Sequence, residues 1–240
     1  MSSEWYKTGD EGYKQVQKIQ EERQKEYGPR RFFLKPNTSA KVTFLDSNGF
    51  YFHEHELQID GKWGHYFTCR RDFDECPLCD AGISVSYGCA YTVIDHSEYQ
   101  TKSGGSIKNQ KKLLVIKPTV VNKLARKREN EQLKGNLTGA VFLFTRDKKE
   151  ECRTGEDLEF IKKLSQKDLI KFKPKDSKES DADWIKPFDY LALFAPKSVE
   201  ELRKISGQAP PVGSDDYQGA VAGVTGGSQE YSEDNIEDLL

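Results

Sequence analysis

Between His53 and Cys79 the chain runs HEHELQIDGKWGHYFTCRRDFDECPLC. Three of its five cysteines fall in the last eleven residues of that stretch, spaced Cys69-x6-Cys76-x2-Cys79. A C-x2-C pair lets the backbone turn so that both sulfurs face one ion, and zinc takes four N or S ligands in a tetrahedron. Three thiolates and one imidazole would complete a closed site. Such a site draws residues far apart in sequence to one point, so it constrains the fold more than any other stretch. Ordinary buried thiols or a redox pair are the plainer alternatives.

The spacing argues for a structural ion rather than a catalytic one. A zinc deaminase needs H-x-E followed by P-C-x-x-C. Here Pro77 lies inside the Cys76–Cys79 pair, and neither His53 nor His55 has Glu two residues on. The metalloprotease pattern H-E-x-x-H fails as well. Asp60-Gly61 marks a hairpin turn between strands expected near 50–58 and 62–69. That hairpin would fold His53 or His55 back toward Cys69. His65 is four residues from Cys69 on one strand, roughly 13 Å away. The fourth ligand is therefore His55, with His53 the close alternative.

The five cysteines are an odd number clustered at metal spacing, which points to a reducing compartment rather than a disulfide scaffold. No stretch is apolar for long enough to span a membrane. The N-terminus MSSEWYKTGDEG lacks the order of a signal peptide. Cys89 lies in an apolar strand-like run and is expected in the core. Cys152, in a charged loop, is expected as a free thiol.

Net charge is −2, but it is polarised. All 37 Lys and Arg precede residue 207, whereas residues 207–240 carry seven acids and no base. Residues 1–206 thus hold 37 bases against 32 acids, a net of +5. A basic body points to a polyanionic ligand, and an acidic tail to a separate partner or to self-masking.

Three segments follow. Residues 1–29 form a charged helical arm, with helix expected over 10–27 and stopped by Gly28-Pro29. Residues 30–206 form the main domain, with the metal knuckle at 53–79. Residues 207–240 change to Gly, Pro, Ser and Ala and end in EYSEDNIEDLL, a disordered linker and acidic tail. The linker's reach of roughly 26 Å exceeds the body's radius of gyration of about 17 Å, so the tail can touch its own domain.

Within the body, strands are expected at FFLK, KVTFLD, FYFHEHEL, 89–97, 111–117, 137–146 and 188–194. KVTFLD is expected to be half-buried by alternation. Pro118 opens a helix whose apolar positions Val120, Val121, Leu124 and Leu133 oppose Lys123, Arg126, Lys127 and Arg128. Residues 156–172 mix short helix and strand, and SVEELRKI closes the domain as a helix stopped by Gly207. The fold class is mostly β with peripheral α: an OB-fold-like Greek-key barrel with an inserted zinc knuckle and flanking helices. A sandwich is the alternative.

From Ile107 to Arg128 there are eight Lys and Arg and no acid, with Tyr87, Tyr91 and Tyr99 nearby. Single-strand binding pairs cations for phosphates with flat rings for bases. The expected DNA contacts are Tyr66, Phe67, Arg70, Tyr91, Lys102, Lys108, Lys111, Lys112 and Arg146. No Walker motif, no G-x-S-x-G and no two-metal acid pair is present, so catalysis is not expected.

The chain resembles bacteriophage single-stranded DNA-binding proteins with an OB fold. The resemblance rests on Y-F-T-C (66–69), C-P-L-C-D-A-G (76–82), A-Y-T-V-I-D-H-S (90–97), K-L-L-V-I-K (112–117), G-A-V-F-L-F-T-R (139–146) and T-G-E-D-L-E-F-I (154–161). It covers roughly residues 30–200. It implies non-catalytic coating of single strands during phage replication, recombination and repair, in the cytoplasm of the infected bacterium. It also implies that one His and three Cys hold a structural zinc, here Cys69, Cys76, Cys79 and a histidine. The tail, through Glu233, Asp234, Glu237, Asp238, Leu239 and Leu240, would recruit replication or recombination proteins. Self-association along DNA is a further expectation, and a membrane partner is not expected. The rival readings are a zinc-ribbon adaptor that binds only protein and a nucleic-acid-modifying enzyme.

Overall fold

A computed structural model describes residues 8–16, 28–100, 104–175 and 177–207. Two compact units are present, residues 1–31 and 32–240. In the first, residues 9–16 are helical. The rest of the expected 10–27 helix, Lys102 and the tail beyond residue 207 lie outside the described residues.

The second unit is built on one seven-stranded antiparallel sheet. Its strands are β1 (Thr38–Phe44), β2 (Phe50–Ile59), β3 (Lys62–Thr68), β4 (Val85–Asp95), β7 (Gln110–Ile116), β8 (Ala140–Arg146) and β9 (Asp157–Lys163). A short hairpin, β5 (Tyr99–Gln100) with β6 (Ser106–Ile107), stands apart. The order is β3-β2-β4-β1-β8-β9, with β7 on the other side of β4. The eleven-residue β4 is shared out along its length. Its first half, Val85–Ala90, pairs with β2, and Val93–Asp95 pairs with β1. Its opposite edge, Cys89–Asp95, pairs with β7.

Side chains of β4 alternate between two interiors. Cys89, Tyr91 and Val93 enter the main core with Phe44, Phe142 and Phe144. Ala90 and Ile94 point to the other face, which the C-terminal segment covers. That is why β4 is an almost continuous apolar run rather than an alternating one. Helices α1 (Pro77–Asp80) and α2 (Pro118–Arg128) precede this covering segment. It carries α3 (Gln166–Ile170), α4 (Asp181–Trp184), α5 (Tyr190–Leu193) and α6 (Val199–Ser206).

Most elements expected from sequence are present, with three corrections. First, the hydrogen-bonded ladder does not close into a barrel among the described residues. Between β7 and the loop before β9 the segment is tied by bonds from Phe32 N–H to the Leu113 carbonyl (2.8 Å) and from Leu34 N–H to the Arg153 carbonyl (2.7 Å) rather than by a strand ladder. For the same reason FFLK is not a full strand. Second, 188–194 is not a strand: Asp189 caps α5 by accepting from the Ala192 N–H. Pro187 and Pro196 flank it, and proline cannot donate to a ladder. Third, KVTFLD is not half-buried by alternation beyond Lys41. Val42, Thr43, Phe44 and Leu45 are all buried, because Leu45 and Ile94 meet Leu169 and Trp184 on the second face.

The helix opened by Pro118 buries Val120 and Leu124 as expected, but it ends at Arg128, so Leu133 reaches the core from the following turns. No helix among the described residues is long and apolar enough to cross a membrane.

Candidate metal centre and aromatic face

Asp60 and Gly61, with φ of 52° and 76°, make the tight turn between β2 and β3. Aspartate and glycine tolerate this left-handed pair, which suits the twist of a hairpin. The hairpin sets His55 opposite Phe67, and the Cys69 N–H then donates to the His53 carbonyl at 2.8 Å. The chain next turns through residues 70–75, where the Phe73 and Asp74 amides bond the Arg70 carbonyl, and enters α1. Pro77 at the first helical position lets α1 start directly after Cys76. Cys79 is one turn on and faces the same point.

His55, Cys69, Cys76 and Cys79 thereby offer four ligand atoms that all lie within 4.8 Å of one another. The Cys69 sulfur is 3.8 Å from Cys76 and 3.5 Å from Cys79. His55 Nε2 is 3.5 Å from Cys76 and 3.6 Å from Cys79. A zinc tetrahedron with ordinary bond lengths has S–S edges of about 3.8 Å and S–N edges of about 3.6 Å. The cluster therefore fits a metal ion such as zinc.

Without an ion, the surroundings favour the ligand form at His55 and Cys76 and oppose it at Cys69 and Cys79. His55 Nδ1 sits 3.0 Å from the Ser84 carbonyl, which can only accept, so Nδ1 carries the proton and the Nε2 lone pair faces the thiols. Burial holds His55 below the usual imidazole range, against the pull of that bond, and so keeps it neutral. Burial pushes the Cys69 thiol up to about 12 and raises Cys79. Burial also acts to raise Cys76, but the Arg70, Cys79 and Leu78 amides around its sulfur leave it below the usual thiol range. A divalent cation would supply the charge that three buried thiolates need.

Of the three histidines considered, His55 joins the cluster and the other two do not. His53 instead places Nδ1 2.7 Å from the Asp72 carboxylate. His65 pairs across the hairpin with Leu57. A small core of Leu57, Leu78, Ile83 and Leu202 closes over the site, the last contributed by α6. Arg203 to Glu75 (2.8 Å) and Arg70 to the Lys197 carbonyl (2.9 Å) tie α6 to the knuckle.

The residues expected to contact DNA are mostly not on a free surface. Tyr91 is 3% exposed and packs edge-on against Phe44 at 5.1 Å. Lys112 is 3.0 Å from the fully buried Asp95 and 4.0 Å above the Tyr99 ring. Burial draws the Asp95 carboxyl upward, yet Lys112 with the Tyr99 and Ser97 bonds leaves it below the usual range. Arg146 donates to the carbonyls of Leu34, Lys148 and Lys149, so it braces the chain from within. These three are corrected to scaffold positions: each charged or hydroxyl group is used up internally. Lys111 lies over Trp184 and Phe188 and donates to the Asp183 carbonyl. Tyr66 donates to Glu56, Phe67 packs on the knuckle core, and Arg70 pairs with Asp74. Lys108 is exposed and pairs with Glu98 at 2.6 Å.

Beside the metal cluster lies an aromatic face of which the sequence pointed to Tyr87 but not to its partner Tyr51. Tyr51 on β2 and Tyr87 on β4 are 49% and 46% exposed, with stacked rings 6.0 Å apart and 21° from parallel. The His53 ring follows at 4.8 Å from Tyr87. Register explains the row, since His53 is opposite Tyr87 and Tyr51 is opposite Cys89. These residues share a face with Cys89 and Tyr91, which are buried, and with His55 of the candidate metal cluster. A cation stands near Tyr51, on which the Arg128 charge acts, while Arg71 lies in the turn after Cys69 with its amide on the Cys69 sulfur. Arg128 is fixed in place by bonds to the Asn48 side chain and the Gly135 carbonyl.

Comparison with protein-family models, curated proteins and solved structures finds no match. The assignment of function therefore rests on the chain's own residues.

Proposed function

We propose that the chain is a non-catalytic single-stranded DNA-binding protein whose knuckle is held by a structural zinc ion, of the kind its sequence resembles in bacteriophages. The observation that carries this reading is the exposed, stacked pair Tyr51–Tyr87, with the Arg128 guanidinium held near Tyr51 by Asn48. Flat half-exposed rings accept bases of any sequence, and flanking cations take the phosphates. The antiparallel sheet, open as it is, offers the rigid support that an OB-like surface needs. Coating, protection of phage DNA and recruitment of replication proteins by the acidic tail are the wider role that follows from this reading.

Zinc enters as a fold element. His55, Cys69, Cys76 and Cys79 would hold it, and four protein ligands leave no position for substrate. The test is alanine replacement of Tyr51 and Tyr87 separately, with affinity for an oligo-dT strand measured at fixed salt. Base–aromatic stacking is worth about 1–3 kcal/mol per base, so each change should weaken binding about 5- to 150-fold. Unchanged affinity in both variants would remove the row from the binding surface.

A further inference from the structure

The aromatic row and the metal knuckle are joined by a specific contact. Asp72 lies in the turn between Cys69 and Cys76, and its carboxylate accepts from His53 Nδ1 at 2.7 Å. His53 in turn packs its ring on Tyr87, whose ring stacks on Tyr51. The turn itself is stiff, with Phe73 and Asp74 amides on the Arg70 carbonyl and the Arg70 guanidinium clamped on Asp74. A half-exposed tyrosine on a sheet would otherwise sample several orientations, and fixing one of them costs free energy when a base binds.

We infer that Asp72 and His53 are positioning residues through which the knuckle sets Tyr87 in its base-stacking orientation before DNA arrives. The inference rests on the single-strand binding reading above and adds to it a role for two residues that need not touch DNA. It makes the metal centre a determinant of the binding surface as well as of the fold. Electrostatics alone predicts the reverse sign for Asp72: removing a carboxylate near Arg71 should tighten DNA binding. The two accounts are therefore separable.

The experiment uses the metal-loaded full chain, an oligo-dT probe and four variants: Asp72→Ala, Asp72→Asn, His53→Ala and the Asp72→Ala/His53→Ala pair. Zinc content and Tm are measured for each. Ordering one side chain corresponds to about 2- to 12-fold in affinity. Asp72→Ala should weaken binding by a factor in that range with the salt dependence unchanged, because no phosphate contact is lost. Asp72→Asn keeps an acceptor for His53 and should bind as tightly as the wild type or tighter. The double variant should be no weaker than His53→Ala, the mark of two residues acting in series. Asp72→Ala binding as well as the wild type, while Tyr87→Ala is weak, would overturn this inference and leave the function reading standing. Loss of affinity in Asp72→Asn equal to that in Asp72→Ala would also overturn it. A wild-type chain that does not bind the probe would overturn both. If Asp72→Ala loses zinc or Tm, the comparison of His53→Ala with Asp72→Asn decides: a weakened His53→Ala beside an intact Asp72→Asn supports the inference, and two equal affinities overturn it.

Discussion

Removing the metal should unfold the knuckle and leave the sheet standing. The knuckle's own apolar core is Leu57, Leu78, Ile83 and Leu202. Full burial of such side chains is worth about 1.5–3 kcal/mol each, so about 6–12 kcal/mol for the four. Ordering residues 69–84 opposes this at about 1–2 kcal/mol per residue, or about 16–32 kcal/mol. The shortfall, about 15 kcal/mol at the centre of those ranges, matches the roughly 10–16 kcal/mol that a structural zinc contributes to a small folded unit. The main core has no such dependence, since Phe32, Phe44, Phe142, Phe144 and Leu114 are fully buried without any ligand group. Hydrogen exchange with and without a strong chelator is the assay. Amides of Asp80, Ala81 and Ile83, which bond the Cys76, Pro77 and Leu78 carbonyls, should lose protection. Amides of the β4–β7 ladder should keep it. Unchanged protection over 76–83 with the metal stoichiometrically removed would refute the reasoning.

Three more outcomes are expected. Lys112→Met leaves Asp95 charged and buried without its partner and should cost about 3–5 kcal/mol in denaturant unfolding; a loss under about 1 kcal/mol would mean that the pair is not desolvated. Burial pushes Asp46 up to about 6 despite hydrogen bonds from the Thr92 amide and the Tyr190 hydroxyl. Since its folded pKa lies above the unfolded one, its contribution of about 3 kcal/mol is complete below about pH 4 and is lost as pH rises through about 6. Carboxyl NMR should find that midpoint, and Asp46→Asn should flatten that part of the stability profile; a midpoint near 4 would contradict it. At Gly49 a Cβ would stand 2.1 Å from the Cys89 sulfur and 2.7 Å from Tyr91. Gly49→Ala should therefore destabilise by about 1–3 kcal/mol, and Cys89→Ala should recover part of the loss; a neutral Gly49→Ala would argue against the close approach.

The metal cluster was legible because its information is local. Cys69, Cys76 and Cys79 sit on one turn and one helix start, and the Asp60-Gly61 turn fixes which residues of β2 face them. The choice of His55 over His53 is a choice of position along one face of a strand. The two residues differ by one repeat on the same face, and only the position of Cys69 beside His53 places the imidazole of His55 at the sulfurs. The exposed aromatic face was not legible. Lys112 and Arg146 look like surface cations in sequence, but Asp95 pairs with the first, and the remote Leu34 carbonyl with the nearby Lys148 and Lys149 carbonyls satisfies the second. Conversely, Tyr51 and Tyr87 belong to the period of the core face shared with Cys89 and Tyr91. Where that face passes out of the core into solvent depends on which elements cover it, and no strand pattern carries that. The strand expected at 188–194 failed for a related reason. Its aromatic alternation serves packing of Tyr190 and Phe194 on Phe50 and Phe52, not a ladder.

The most direct test of single-strand binding is a titration of labelled oligo-dT with the zinc-loaded chain at low and high salt, beside a duplex of equal length. The account predicts tight binding to the single strand that weakens steeply with salt and prefers it to the duplex. A folded, metal-loaded chain that leaves oligo-dT unbound at low salt would contradict it and favour a protein-binding adaptor.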